Sequence, residues 1–269
     1  MIKQLSYSLN NKELVHGVFL YFLISGINQL QVFILKKILL LFIILLSNHL
    51  VFGQNEESLW AINPLLENLN SKQINAGRLQ QIVVAFKLDI KDKDYKVMGL
   101  EKAKGKWKLA IAPVKASIGR NGFAKENEKM EGDGTTPIGL YALGKLYSYD
   151  AAIDTKLHFQ QVDSLDKWID DSSSNDYNKY VRGESNAKSF EHLKLNSIDY
   201  KYCMVIEYNT QPVVKGKGSA IFFHVANESY APTAGCVAIA ENDMLQFLKW
   251  LKPRKKKGML ISGIVEMWE

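Results

Sequence analysis

From residue 81 onward, short apolar runs alternate with clusters of glycine, asparagine and aspartate, a pattern typical of β-strands joined by turns. The runs predict seven strands: Gln81–Leu88, Tyr95–Leu100, Trp107–Ile118, Gly139–Leu146, Tyr202–Tyr208, Ala220–Ala226 and Met259–Glu266. A helix is predicted at Asn242–Leu251, where an apolar stripe ends before Pro253. Short helical turns are expected within Leu59–Asn70. The fold class that follows is α+β, mainly β.

A long polar stretch, residues 150–197, interrupts this pattern. It contains the run 170–176, made only of aspartate, serine and asparagine, and it shows no clear periodicity. Irregular segments of this length inside a compact domain usually form a binding surface or a lid. We therefore predict a polar insertion at 150–197 with one of these two roles.

The first 53 residues have the pattern of a leader. Lys36 and Lys37 precede nine unbroken apolar residues, Ile38–Leu46, and Val51 and Gly53 are small enough for a cleavage site. A signal peptide needs about 7–15 apolar residues, whereas a membrane-spanning helix needs about 20. We predict a signal peptide with its core at 35–53, and hence export to the periplasm or cell envelope.

Two further hypotheses concern the same region. The apolar patch Val18–Ile24 would extend the hydrophobic segment into an uncleaved anchor. Residues 1–34 are long for a leader and contain Glu13 and His16, which suggests that translation starts at Leu35 and that 1–34 is not translated.

About 216 residues follow Gly53, enough for a single domain without disulfide bonds. We divide them into an N-terminal segment of helical and strand character, residues 54–94, packed on a domain at 95–269. We expect a monomer.

Charge changes this picture little. The chain carries 34 basic and 28 acidic residues, a net charge of +6, but the leader holds four of the bases and one acid. The remainder is therefore only +3. The run Arg254–Lys257 follows the predicted helix without any nucleic-acid-binding signature, so we interpret it as a solvated turn and expect no nucleic-acid partner. A weak contact with an anionic envelope surface stays open.

His224 and Cys236 are the candidate catalytic pair. On a strand, side chains alternate between two faces, so Ile221, Phe223 and Val225 share one face and Phe222, His224 and Ala226 share the other. The eleven residues after His224 are enough for a turn that returns Cys236 beside the imidazole. Such an imidazole can activate a thiol for acyl transfer, and amides around Gly235 could donate to an oxyanion.

Simpler interpretations exist for both residues. A buried cysteine often packs as a small hydrophobic residue, and a lone histidine on a strand is often structural. A metal site is poorly supported, because the only histidines outside the leader are His158, His192 and His224 and no ligand spacing joins them.

Three motifs together resemble the L,D-transpeptidase catalytic domain family (YkuD-type). Thr233-Ala-Gly235-Cys236 after a strand histidine is similar to that family's Ser/Thr-x-Gly-Cys signature. The upstream motifs are similar to its Ser-x-Gly and Thr-Pro-x-Gly elements in a Glu-Gly-Asp-Gly-x-Thr-Pro subgroup; they are Ser117-Ile-Gly119 and Glu131-Gly-Asp133-Gly-Thr-Thr136-Pro137-Ile-Gly139. The resemblance covers roughly Lys106 to Gly263 and implies a mixed β-sandwich with one or a few packed helices.

The resemblance implies a specific chemistry on peptidoglycan stem peptides. Cys236 would be the nucleophile, His224 the general base and then acid, the Gly235 and Cys236 amides the oxyanion donors, and Thr233 a support for the loop or imidazole. A backbone carbonyl would orient His224. A thioacyl intermediate would pass to an amine to form a 3→3 cross-link, with no metal or organic cofactor. The alternatives are an L,D-carboxypeptidase acting on the same bond and a non-catalytic cell-wall-binding module.

The chain departs from better-known members of the family in three ways. The His-to-Cys loop is short, Ala234 replaces a second histidine, and Ala238 replaces an arginine. Substrate recognition must therefore come from elsewhere, and the candidates are Arg120, Lys125, Lys129 and Asp133. A solvated surface role is the alternative for each of the four.

Cys203 lies in an apolar run and is predicted to be a buried strand residue. A disulfide bond to Cys236 would block the nucleophile, so we expect a free thiol at rest.

Overall fold

The computed structural model describes residues 63, 65–70, 76–88, 91, 94–125 and 127–264. They belong to one unit of the chain, Ser58–Glu269. The predicted leader and its cleavage site lie outside the described residues. None of the helices in the described part of the chain combines the length and the apolar character needed to cross a membrane.

Within that part of the chain, strands far outnumber helices. The strands are β1 Gln81–Lys87, β2 Tyr95–Ala103, β3 Lys106–Ser117, β4 Gly139–Ser148, β5 Phe159–Gln161, β6 Asp166–Ile169, β7 Tyr180–Arg182, β8 Phe190–His192, β9 Tyr202–Ile206, β10 Phe222–Val225, β11 Val237–Ile239 and β12 Lys257–Ile264. The helices are α1, residues 65–70, and α2, Glu241–Trp250. The prediction of a mainly β fold with few helices is confirmed.

The large sheet has nine strands in the order β12-β1-β2-β3-β11-β10-β9-β4-β5. Because β12 also pairs with β4, the pairings close into a ring of eight strands with β5 attached to β4. β1–β12, β10–β11 and β4–β5 are parallel, and the other pairs are antiparallel, so the sheet is mixed. The expected sandwich arrangement stays a prediction.

All seven predicted strands and the predicted helix are present, with ends that differ by a few residues. Residues 265–266 of the last predicted strand lie outside the described residues. β1 pairs with both β2 and β12, so Gln81–Lys87 forms part of the sheet itself and is not a segment packed onto it. Of the predicted turn Arg254–Lys257, residues 254–256 lie between α2 and β12, whereas Lys257 is the first residue of β12.

The main hydrophobic core contains residues from all eight strands of the ring together with Met244, Phe247 and Leu248 of α2 and the residue that follows the helix, Leu251. A second core packs α1, through Leu65 and Leu69, against β1, β2 and β12. A third lies on the opposite face of β9 and β10 and includes Phe222, Cys203 and Cys236. Phe222 therefore packs on one face of β10 while Ile221, Phe223 and Val225 pack on the other, as the alternation predicts.

The polar insertion forms β5 and a small antiparallel sheet in the order β7-β6-β8. Trp168 of β6 packs edge-to-face on Phe222 of β10, with ring centroids 5.3 Å apart. The buried side chain of Asn178 accepts hydrogen bonds from the Trp168 indole at 2.9 Å and from the Ala220 amide at 3.1 Å. These contacts fix the small sheet over the face of β10 that carries His224.

Candidate active site

Strand pairing places His224 and Cys236 on one face of the large sheet. β10 and β11 are parallel neighbours in which Phe223 pairs with Val237 and His224 pairs with Ala238. Cys236 immediately precedes β11, so its side chain lies on the same face as those of Phe222 and His224. Both candidate residues are almost completely buried, with 5% of each exposed.

The Cys236 thiol is held by backbone groups at the start of β10. Its Sγ accepts a hydrogen bond from the Phe222 amide at 3.3 Å and donates one to the Ala220 carbonyl oxygen at 3.2 Å. Burial raises the pKa of this thiol far above its ordinary value. The resting residue is therefore a protonated thiol that must lose its proton before it can attack a carbonyl.

The His224 imidazole is fixed in the tautomer that a general base requires. Its Nδ1 lies 3.0 Å from the Asp199 carbonyl oxygen and 2.8 Å from that of Val225. A carbonyl oxygen can only accept, so Nδ1 carries the hydrogen and Nε2 keeps a free lone pair. Burial lowers the pKa of the imidazole, which favours this neutral form. The expected orientation by a backbone carbonyl is confirmed.

No hydrogen bond joins the thiol to the imidazole in this resting arrangement of the two described side chains. Catalytic hydrogen bonds are often loose in a free enzyme and shorten when substrate binds. Proton transfer from Sγ to Nε2 therefore requires the thiol to leave the Ala220 carbonyl.

Thr233 stabilises the loop that precedes Cys236. Its Oγ1 donates to the Cys236 carbonyl oxygen at 2.7 Å and accepts from the Gly235 amide at 3.1 Å. The Gly235 amide is thus occupied at rest. Gly235 has a φ of +154°, and a Cβ there would lie 2.9 Å from the Thr135 carbonyl oxygen, so a larger residue would push two loops apart.

The three sequence motifs meet at this loop. Gly119 forms a bridge with Thr233, and its amide donates to Thr136 Oγ1 at 2.8 Å. The same hydroxyl donates to the Cys236 carbonyl oxygen at 3.4 Å. A Cβ on Gly119 would lie 2.4 Å from the Gly134 carbonyl oxygen, so the close contact between these loops requires glycine. Residues far apart in sequence therefore form one support for the cysteine.

His224 and Cys236 line a cavity of about 370 Å³. Thr233 and Gly235 lie at the same cavity, as do two of the predicted substrate-binding residues, Arg120 and Lys129. Part of the wall comes from the insertion and includes Asp170, Glu191 and Leu195.

The other two predicted substrate-binding residues lie differently. Asp133 accepts from Lys129 Nζ at 2.6 Å and from the amides of Met130 and Thr135, and these bonds hold its loop. Lys129 is itself buried, with 7% of its side chain exposed. Lys125 lines a separate cavity, and 84% of its side chain is exposed. A direct substrate contact by any of the four residues stays a prediction.

Sequence reasoning missed two residues at the cavity, Tyr200 and Glu191. The Tyr200 ring lies edge-to-face against the His224 ring, with centroids 5.1 Å apart, and its hydroxyl donates to Glu191 Oε2 at 2.5 Å. Burial and the nearby carboxylates of Asp170 and Glu131 raise the pKa of Glu191 to about 7. Neither residue stands in a motif, so no local signal marked them.

Cys203 is confirmed as a buried strand residue. It lies in β9, pairs with His224 across the sheet, and has no exposed surface. Both Cys203 and Cys236 are free thiols. The described residues contain no group of three or more His, Cys, Asp or Glu side chains placed to hold a metal ion.

Comparison with known proteins gives one match. The model of the YkuD family, described as the L,D-transpeptidase catalytic domain, matches residues 88–259. The matched range contains all three motifs and the cavity. No curated protein and no solved structure matches the chain.

Proposed function

Because the chain belongs to the L,D-transpeptidase catalytic domain family, we propose that it is an exported cysteine acyl transferase that forms 3→3 cross-links between peptidoglycan stem peptides. The observation that carries this proposal is the tautomer of His224. Its Nδ1–H faces two carbonyl oxygens, so Nε2 is available as a base at the cavity that contains Cys236.

The reaction begins with transfer of the Cys236 proton to His224 Nε2. The thiolate attacks the carbonyl carbon at the third residue of a donor stem tetrapeptide, and His224 returns the proton to the amine of the leaving D-Ala. A thioester to Cys236 results. The side-chain amine of an acceptor stem, activated by His224, then attacks the thioester, and the thiol is released.

Burial favours the neutral forms of both groups at rest. The ion pair of thiolate and imidazolium therefore forms only when proton transfer is coupled to attack. Of the two proposed oxyanion donors, the Gly235 amide is engaged by Thr233 at rest. We therefore expect the Cys236 amide to act as donor from the outset and the Gly235 amide to join only if it leaves Thr233.

The test is incubation of the purified protein with a disaccharide tetrapeptide, followed by chromatography and mass spectrometry. We expect free D-Ala and a cross-linked dimer. Both should disappear in Cys236→Ala and in His224→Ala, whereas Cys203→Ala, the matched change at the other buried thiol, should keep both products. Release of D-Ala that leaves a stem peptide with a free carboxyl group, and no cross-linked dimer, would instead identify an L,D-carboxypeptidase. If the protein neither turns over the substrate nor forms a covalent adduct with a carbapenem, the result would favour a non-catalytic cell-wall-binding module.

Cellular location, monomeric state and envelope contact belong to the same proposal. A fractionation that recovers the protein in the cytoplasm would contradict the export on which access to peptidoglycan depends.

A further inference from the structure

Tyr200 lies against the ring of His224 and lines the same cavity as Cys236, yet it belongs to no recognised motif. Its ring is buried and lies nearly perpendicular to both neighbouring rings, with centroids 5.1 Å from His224 and 5.5 Å from Phe222. The preceding residue, Asp199, supplies a carbonyl that accepts from His224 Nδ1 at 3.0 Å and from the Val225 amide at 3.0 Å. Two consecutive residues therefore hold the imidazole, one through its nitrogen and the other through its ring.

The hydroxyl of Tyr200 connects this arrangement to the thiol and to the insertion. It donates to Glu191 Oε2 at 2.5 Å. Tyr200 and Cys236 belong to the same buried cluster and line the same cavity. Burial and the Glu191 carboxylate raise the pKa of the Cys236 thiol, and the Phe222 amide and the Tyr200 hydroxyl oppose that rise. Burial raises the pKa of Tyr200 itself, so the hydroxyl keeps its proton at neutral pH.

The position of Glu191 depends on the small sheet. Glu191 lies in β8 and pairs with Trp168 of β6, whose ring packs on Phe222. The titratable groups that face Glu191 are the Asp170 and Glu131 carboxylates, the Tyr200 hydroxyl and, at the same cavity, Lys129. The insertion thus supplies the carboxyl group that binds the hydroxyl of Tyr200, whose ring lies against His224.

We propose that Tyr200 is a positioning residue, tied by its hydroxyl to Glu191, that holds His224 and Cys236 in the arrangement needed for proton exchange. The proposal rests on the proposed function in that His224 and Cys236 are the reacting pair. It gives the polar insertion a role in the geometry of the site in addition to any contact with substrate.

Tyr202 offers a matched control. It is also a buried tyrosine whose hydroxyl donates to a carboxylate, Asp150, at 2.8 Å. Tyr202 is, however, the first residue of β9 and belongs to the main core, whereas Tyr200, Phe222 and Cys236 belong to the third core. Removing its hydroxyl therefore costs a comparable hydrogen bond without touching the candidate site.

The experiment measures the rate of iodoacetamide alkylation of Cys236 against pH in the full chain, on a Cys203→Ala background, because only the thiolate reacts. Tyr200→Phe keeps the ring and removes the hydroxyl. We expect its alkylation curve to move to higher pH, with about tenfold less reactive thiolate at a given pH, while Tyr202→Phe follows the parent curve. Glu191→Gln removes both the acceptor of the Tyr200 hydroxyl and a carboxylate charge that raises the thiol pKa, so its alkylation curve should move to lower pH.

Kinetics supply a second readout. With the tetrapeptide substrate, Tyr200→Phe should lower kcat by about tenfold and leave KM within about twofold, because the change disturbs the positions of the reacting pair. If Tyr200→Phe folds poorly, kcat of Glu191→Gln decides: a fall of about threefold, although its thiol is more reactive, supports the positioning role, and an unchanged or higher kcat contradicts it. Equal losses of stability in Tyr200→Phe and Tyr202→Phe, with both alkylation curves unchanged, would overturn the proposal.

Alkylation needs no peptidoglycan. A wild-type protein that releases no D-Ala would therefore refute the proposed function without deciding whether Tyr200 controls the thiol.

Discussion

The two faces of β10 are formed by alternate residues of the same short strand but have different surroundings. One face, with Phe223 and Val225, packs into the main core beside α2, as does the preceding Ile221. The other, with Phe222 and His224, lies beneath the small sheet of the insertion and beside Tyr200. The core face contacts apolar side chains, whereas the site face contacts groups that can exchange protons.

The difference shows how a single short strand, β10, can hold a rigid site. Packing on the core face fixes the backbone of β10, and the backbone in turn fixes His224 through the Val225 and Asp199 carbonyls. Packing on the core face therefore fixes the positions of the buried polar groups on the site face. We expect changes on the core face to act on stability and changes on the site face to act on chemistry.

The largest expected effect is on the site face. His224→Ala should lower the rate of D-Ala release by about 10²–10⁴-fold, the usual contribution of a general acid or base. Its free energy of unfolding should fall by only about 1–3 kcal/mol, the cost of leaving two carbonyl oxygens without this partner. Turnover assays and urea titration measure the two quantities. A variant that unfolds but keeps normal turnover while folded would reverse the assignment of the two faces.

Phe223→Ala tests the core face. The ring is completely buried and packs edge-to-face on Phe247 of α2. Its loss should lower the free energy of unfolding by about 3–5 kcal/mol. Turnover per folded molecule, measured below the unfolding transition, should stay within about tenfold of wild type, since the backbone of β10 keeps its pairing on both sides. Abolished turnover in a folded variant would show that the two faces are not separable.

The pH dependence of stability tests the site face again. Glu191 has its pKa raised from 4.5 to about 7, so between these values the folded protein binds more protons than the unfolded chain. Stability from this group is therefore complete below pH 4.5 and is lost as pH rises through about 7. Burial lowers the pKa of His224, which has the opposite sign, because stability is lost as pH falls below 6.5.

Glu191→Gln removes the first contribution and leaves the second. Unfolding midpoints at pH 5 and pH 7.5 should show that the variant gains stability relative to wild type as pH rises. Parallel pH profiles for the two proteins would mean that Glu191 ionises normally.

The smallest expected effect separates two predicted substrate contacts. Arg120 lies at the catalytic cavity, so Arg120→Ala should raise KM for the stem peptide by about tenfold, the value of one charged hydrogen bond. Lys125→Ala should change KM by less than about twofold, because its side chain is exposed and lines another cavity. Equal effects of the two changes on KM would place the substrate across both cavities.

Much of this arrangement follows from local sequence. Strands such as β1 and β10 are long or apolar enough to show the alternation of a strand in the sequence. The order of His224, Gly235 and Cys236 along the chain predicts the candidate catalytic pair. β5 to β8 were missed because each has three or four residues with polar neighbours, and long-range contacts such as that of Asn178 with Ala220 hold them. β11 was not predicted, because the three residues Val237–Ile239 are too few to show an alternating pattern.

The rest of the site depends on contacts that no local pattern records. His224 is oriented by backbone carbonyls, which every residue carries, so nothing in the sequence singles out Asp199. Tyr200 and Glu191 meet through a hydrogen bond between β8 of the small sheet and the segment that precedes β9. Lys129 and Asp133 were predicted as substrate contacts on their charge, yet four residues apart they also form an ion pair with each other.

The most direct test of the central claim is capture of the thioacyl intermediate. The protein is mixed with donor tetrapeptide, quenched in acid and analysed by intact mass and peptide mapping. We predict a mass gain equal to the mass of the donor minus that of free D-Ala, located on Cys236, retained in Cys203→Ala and absent in Cys236→Ala. Release of D-Ala with no adduct on Cys236, or with the adduct on another residue, would contradict it.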